Sequence, residues 1–530
     1  MRLNHAFGTA AVALLGSGFA QASDESVKQV AIVGAGAAGS SAAYFLRQFA
    51  AEAGVHVNIT VFEKTDRIGG RTLTINPFND PTQRFEQGAS IFVKVNHILY
   101  NAMTEFGLSP SYRDADVDSV MGIWDGDRFV FTIDQNAPSW WNILKVIRKY
   151  GISGPRKVQH LTAATIAKFL RFYEPQFFPF ESLTQRAEDL GLLEVTGVTG
   201  EQYLEANDVN ARYAHDLVQA STRVNYASNL AQIHGLDTMV SMAAEGALAV
   251  EGGNWQIFHE MVQRSGGVVA LNTTVIGIDK VSDSTSSQQR YAVQTRSGSA
   301  LDSSTTHPVT FDHVILANPF QFSGISVGEG VLETAIDEIP YVQLHVTIFT
   351  SPYRLSPEFF GLPTSAKVPG MVLTTLAQSD TPSSGVEGVG KAGFLSVSML
   401  GQATNPQTKR KEYVYKIFSP EAVTPEFLSH LLGRSVPSGF TGSDSPISWY
   451  LPHVFNSYPR ALPRVTFQDP VVGPGVYYTS GMESFISTME TNALMGKNVA
   501  RLIVDDMQGA TAAKFKNGMA WEEKQSILVN

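Results

Sequence analysis

Three glycines stand in a G-x-G-x-x-G spacing at Gly34-Ala35-Gly36-Ala37-Ala38-Gly39, directly after the β-branched run 29–33. Each has a distinct expected role. Gly34 permits a tight turn off a strand, Gly36 lets a pyrophosphate approach the backbone, and Gly39 lets the next helix pack against that strand. Ala37 and Ala38 open the helix, whose free N–H groups and positive dipole end suit phosphate. Glu63, followed by Lys64, closes a second apolar run. A carboxylate there accepts from both hydroxyls of a ribose and repels a 2′-phosphate. Next comes Arg67-Ile68-Gly69-Gly70-Arg71-Thr72. Its paired glycines allow close backbone approach, and the Arg71 fork can pair with pyrophosphate. The chemistry implied is capture of an adenine dinucleotide.

These residues need a strand, a glycine turn, a helix to about residue 53 and a second strand at 57–63, which is one βαβ unit. Strand-like patterns return at 268–278, 290–316 and 475–480, and a long helix is expected from Ser487 to about Met507. Between them, 91–240 is rich in aromatics and helix formers, with Trp140-Trp141 and the run 169–180 (FLRFYEPQFFPF) prominent. The expected domains are therefore discontinuous. One nucleotide domain comprises 23–90, 241–330 and 470–510. A substrate domain comprises 91–240 and 331–469, and 511–530 is a tail.

Composition narrows the function. Of 530 residues, 43% are hydrophobic and 17% charged, too apolar for a disordered chain. A net charge of −10 opposes a nucleic-acid surface. The absence of cysteine removes disulfides, thiolate metal sites, a thiol nucleophile and a cysteinyl-linked flavin, so redox chemistry must belong to a bound cofactor. No cluster has metal-ligand spacing. His97 and His345 are single histidines, and His97 is carried as a candidate catalytic residue. Gly324-Ile325-Ser326-Val327-Gly328 matches the hydrolase elbow G-x-S-x-G but lacks the helix that must follow. Residues 1–22 read as a secretory signal ending in Ala20-Gln21-Ala22, which implies a secreted or vacuolar/lysosomal protein. No later stretch is long and apolar enough to span a bilayer. Of two sequons, Asn58 falls in an expected buried strand, where glycosylation is not expected, and Asn272 is undecided.

The G-G-R-T piece after an acidic strand end resembles the flavin amine oxidase and phytoene desaturase superfamily. That likeness assigns the cofactor as FAD and implies an α/β fold: a Rossmann-like FAD-binding domain interrupted by an α+β substrate domain. It makes the loop Glu86-Gln87-Gly88-Ala89-Ser90 a flavin-side segment, Val275 an adenine-side residue and Gly481-Met482-Glu483 a turn facing the flavin. Glu483 is thereby a candidate catalytic residue. Only one dinucleotide fingerprint is present, because Gly473-Pro474-Gly475 lacks the third glycine. An oxidase or dehydrogenase is favoured over an NAD(P)H-using reductase.

Several segments resemble the prenylcysteine oxidase (prenylcysteine lyase) family more specifically: VAIVGAGAAGSSAAYFLR at 30–47, RVNY at 223–226, VEGGN at 250–254, YKIFS at 415–419 and YYTSGMESFISTMETNALMGKNVA at 477–500. The resemblance implies oxidation of a farnesyl- or geranylgeranyl-cysteine thioether with O2, releasing cysteine, a prenyl aldehyde and H2O2. Hydride leaves the carbon between sulfur and alkene, water adds to the resulting cation, and the hemithioacetal collapses. A related oxidase of another allylic or benzylic substrate, or a lipid-binding protein that keeps FAD for structure, would carry the same cofactor segments. The aromatic middle segments could line a prenyl pocket. The run 169–180 could alternatively meet a membrane transiently, although no basic amphipathic face accompanies it.

Overall fold

A computed structural model describes residues 27–111, 119–134, 136–244, 246–281, 289–298 and 304–509. The expected signal at 1–22 and tail at 511–530 lie outside the described residues.

The strand Lys28–Val33 forms because alternating β-branched residues can be buried on both faces, as a central parallel strand requires. It pairs in parallel with Val57–Phe62 on one side and His313–Leu316 on the other. The sheet continues to Val268–Ala270 at one edge and to Val476–Tyr478 and Val471–Gly473 at the other. Six strands from four distant parts of the chain thus make one sheet. Asn58 is exposed on its strand, contrary to the expected burial, while its backbone stays in the parallel ladder.

The helix Ala37–Ala53 leaves the first strand through the glycine turn and crosses Met489–Met507. Small residues set the approach: a Cβ on Gly496 would lie 2.1 Å from the Ala38 carbonyl oxygen, and Ser41 Oγ donates to the Ala493 carbonyl at 2.6 Å. Beside this sheet, Thr273–Val281 builds a four-stranded sheet with Arg290–Ser297, Ser304–Thr306 and Ser326–Val327. The Ser326 strand explains why the hydrolase-like spacing carries no nucleophile elbow.

A seven-stranded sheet forms the second half. Its order is Trp449–Pro459, Tyr341–Ser351, Lys411–Ser419, Ser396–Thr404, Met371–Thr374, Val120–Trp124 and Phe129–Asp134. The helices Ser139–Tyr150, Ser153–Leu170, Gly200–Ala206 and Gln219–Tyr226 pack beside it.

The boundary expected at residue 91 does not match the core. Phe92, Leu99 and Met103 bury in the nucleotide half, as do Phe169, Phe172 and Phe180. Much of the aromatic run is therefore core, with Phe177 and Phe178 half-buried at its edge. Its rings pack against Phe485 and the C-terminal helix, and Tyr173 donates to Glu490 at 2.6 Å. Among the described residues, no helix is long and apolar enough to cross a membrane.

Candidate functional site

The glycine turn has the geometry of a phosphate cradle. Gly34 has φ +108°, and a Cβ there would sit 2.8 Å from the Ala317 carbonyl oxygen. Gly39 could not carry a side chain, since its Cβ would lie 1.9 Å from the Gly34 oxygen. Gly36 differs. Its backbone, at φ −79° and ψ −167°, suits any residue, and a Cβ would meet only the Gly70 Cα at 3.8 Å. The folded chain itself does not require glycine at 36, whereas a ligand lying against that position would. No side chain caps the helix there, and no acidic residue occupies its first turn, so its N-terminal dipole is open to an anion.

Glu63 is held beside this turn. One carboxylate oxygen accepts from the Ala35 N–H at 2.9 Å, and the other accepts from the Thr65 N–H and hydroxyl at 2.9 and 2.8 Å. These bonds fix the carboxylate without exhausting its lone pairs, which remain suited to ribose hydroxyls. Lys64 is exposed. Val275 is buried against Ala31, Val33 and Phe62 on the strand that follows the sheet edge. Ala37 stays half-buried at the helix start, whereas Ala38 is buried where the two long helices cross.

Gly70 faces Gly36, and a Cβ on it would come within 3.0 Å of the Gly36 Cα. Arg71 follows, but its fork does not point at a free phosphate site. It donates to Glu483 at 2.6 Å and to the Ser457 carbonyl, and the other Glu483 oxygen accepts from the Tyr341 hydroxyl at 3.0 Å. Burial pulls the Arg71 guanidinium down, but the charge and hydrogen bond of Glu483 outweigh it and leave the group raised. Tyr341 is pushed up by burial and then by Glu483.

The Glu483 side chain is 1% exposed and that of Arg71 about a third exposed, so Glu483 holds the guanidinium from its buried side. Glu483 is buried with its carboxylate taken up by Arg71 and Tyr341, and Met482, with no exposed surface, packs in the core. Gly481 is demanded by packing, its Cβ falling 2.4 Å from the Gln468 carbonyl oxygen. His97 is exposed at the start of the helix His97–Glu105, with its ring 4.9 Å from that of Tyr173.

The loop Glu86–Ser90 is where otherwise unexplained motifs meet. Gly88 is fixed by the Arg71 carbonyl, 1.8 Å from where a Cβ would fall. Asn254, fully buried, donates its backbone N–H to Glu86 at 2.7 Å and its side-chain amide to the Ala89 carbonyl at 3.3 Å. From the seven-stranded sheet, Lys416 Nζ donates to Ser90 Oγ at 3.0 Å and to the Glu86 carbonyl at 3.2 Å. Burial lowers Lys416 to about 8, against the pull of Glu86. Burial raises Glu86 to about 7, opposed by the Asn254 N–H and by Lys416. A buried carboxyl on this loop and a buried ammonium packed against it, both shifted towards neutrality, are what a chemical site tends to hold.

The VEGGN and YKIFS segments thus both clamp this loop. RVNY acts differently. Arg223 is fully buried and donates to Thr374 Oγ1, Asn229 Oδ1 and the Gly388 and Val389 carbonyls, pinning its helix to the sheet. Sequence reasoning did not name Lys416 as a site residue, although the basic residue inside the apolar pattern of YKIFS was the available signal. Among the described residues, no group of side chains could hold a metal.

A family model described as prenylcysteine lyase matches residues 133–514. The chain belongs to the prenylcysteine lyase family. A second family model, an NAD(P)-binding Rossmann-like domain, matches residues 32–106 and covers the glycine turn and Glu63. Farnesylcysteine lyase of Arabidopsis thaliana is 27% identical over 500 residues, 91% of this chain and 89% of its own. Prenylcysteine oxidase 1 of Bos taurus is 28% identical over 510 residues, covering 91% and 90%. Among solved structures, cyclohexylamine oxidase from Brevibacterium oxydans superposes with a TM-score of 0.52 at 17% identity, covering 91% of this chain and all of that one. Putrescine oxidase gives 0.52 at 17%, covering 90% and 99%. These two likenesses establish the amine-oxidase-like fold.

Proposed function

We propose that this member of the family is an FAD-dependent oxidase that cleaves the thioether of farnesyl- or geranylgeranyl-cysteine, using O2 and water and yielding cysteine, prenyl aldehyde and H2O2. The observation that carries the reading is the convergence of the VEGGN and YKIFS segments on the loop Glu86–Ser90, which packs on the Arg71 backbone next to Gly70 and its neighbour Gly36, a glycine that only a ligand would require. The residues fit the cofactor. The turn 34–39 would take the pyrophosphate, Glu63 the ribose, Val275 the adenine side, and the Gly69–Arg71 and Gly88–Ser90 loops the flavin side. FAD, when bound, would supply an acceptor for the hydride that leaves the substrate carbon between sulfur and alkene, and a route for those electrons to O2.

The chain's own residues orient and tune. Glu483 and Tyr341 hold the Arg71 guanidinium from its buried side. Asn254 and Lys416 hold the 86–90 loop. Burial lowers Lys416 to about 8 and raises Glu86 to about 7, so the charge state of this clamp changes between neutral and mildly alkaline pH. The expected N-terminal signal supports a place in the secretory pathway, which N-terminal sequencing of the secreted chain tests. The activity test is anaerobic addition of farnesylcysteine to the purified flavoprotein. Flavin bleaching, with peroxide on admitting air, supports the reading, and an unchanged spectrum across prenylcysteines refutes it.

A further inference from the structure

The helix Ser139–Tyr150 turns its most apolar face to solvent. Trp140 is 63% exposed, Ile143 56%, Leu144 48% and Ile147 36%. At about 100° per residue these four share one side, with Trp141, 45% exposed, at its margin. Such a contiguous patch is unusual on a solvated surface and marks a contact.

The orientation is fixed by polar bonds from Asn142 and Lys149 on the opposite side and from Tyr150 at the helix end. Asn142 Nδ2 donates to the Asp134 carbonyl at 2.7 Å. Lys149 Nζ pairs with Asp216 at 2.8 Å, and the buried Tyr150 hydroxyl donates to the same carboxylate at 2.9 Å. Rolling the tryptophans inward would break that buried ion pair, so their outward pose is built into the fold.

Charge identifies the partner. The chain carries −10 overall, yet residues 135–173 contain no Asp or Glu and seven Lys or Arg. Two of these, Lys145 and Arg148, lie on the helix beside the apolar face. Tryptophan, branched aliphatics and flanking cations on one short helix match an anionic lipid interface, where indoles sit at headgroup depth and cations meet phosphates. A two-fold contact with a second copy fits poorly, because it would bring the Lys145 and Arg148 stripes of both copies together.

We propose that the helix Ser139–Tyr150 docks the protein in-plane on an anionic bilayer surface, through Trp140, Ile143, Leu144 and Ile147, with Lys145 and Arg148 on the headgroups. This stands apart from the identity of the substrate.

The test is flotation of the full-length holoprotein with phosphatidylcholine vesicles, with and without 30% phosphatidylserine (about one lipid in three, enough for a strong surface potential). Wild type is expected to float with the anionic vesicles, and about tenfold less with pure phosphatidylcholine. The double variant Trp140→Ser/Leu144→Ser should lose about tenfold in partitioning, and Lys145→Glu/Arg148→Glu should lose the preference for phosphatidylserine. Both variants should keep the wild-type melting temperature and flavin content. Absence of wild-type flotation overturns the proposal. So does a serine variant that floats normally, or one that only converts a dimer to a monomer in light scattering, which would make the face a contact between copies.

Discussion

Substituting Gly36 and Gly39 in parallel separates what the fold needs from what the ligand needs. At Gly36 the backbone is already in a region open to any residue, and a Cβ meets nothing nearer than 3.8 Å. Gly36→Ala should therefore change ligand-free stability by less than about 1 kcal/mol, the range for a glycine-to-alanine change at a helix N-cap. Gly36→Val puts two further methyl groups beyond that Cβ, into the proposed pyrophosphate path. Its FAD dissociation constant should rise at least about 100-fold, a loss of about 2.7 kcal/mol. At Gly39 a Cβ would lie 1.9 Å from a backbone oxygen, so Gly39→Ala must move the strand–helix junction and cost about 1–3 kcal/mol or more with no ligand present. The assay is FAD titration of the apo-proteins by fluorescence, alongside urea denaturation. The expected pattern is a stable, colourless Gly36→Val and a destabilised Gly39→Ala. Wild-type FAD affinity in Gly36→Val would refute the placement of the cofactor, and unfolding of Gly36→Ala would refute the claim that the fold tolerates a side chain there.

Three further outcomes follow from the buried charges. Lys416 titrates near 8 when folded against an ordinary 10.5, so between those values the unfolded chain keeps a proton the folded chain has lost. Wild-type stability should rise by up to about 3 kcal/mol across that window relative to Lys416→Met, as read by denaturation at pH 8, 9 and 10. Arg71→Ala strands the carboxylate of Glu483 and should cost more, about 2 kcal/mol or above, than Glu483→Gln, whose amide oxygen still accepts from Arg71 while its NH2 donates to the Tyr341 hydroxyl, and which should cost about 1; equal urea midpoints would contradict the pairing. His234, fully buried, is lowered by burial to about 4, so it folds neutral. The stability it permits is complete above its ordinary 6.5 and lost as pH falls towards 4. His234→Gln should therefore flatten acid denaturation by up to about 3 kcal/mol over that range, and an unchanged acid limb would count against it.

The parts of the site that are local in the chain were legible in the sequence. The strand–turn–helix of 28–53 and the carboxylate at Glu63 follow from spacing, because their bonds close within a few tens of residues. The partnership of Arg71 with Glu483 spans 412 residues, and that of Lys416 with Ser90 spans 326, so no local pattern announces either. The aromatics of 169–180 show another limit. Periodicity reports that rings share a face, while the choice between core and surface depends on a neighbour such as Phe485, supplied by a distant segment. Trp140 and Trp141 are the converse case, apolar residues held outward by the polar anchors Asn142 and Lys149 on the far side of their helix.

The most direct test of the central claim is the absorbance spectrum of the purified full-length protein during anaerobic titration with farnesylcysteine. The account predicts bound flavin bands that bleach to completion with about one equivalent of substrate and return, with peroxide, when air is admitted. A well-folded preparation that takes up no FAD on reconstitution, or bound flavin that stays oxidised in saturating substrate, would contradict it.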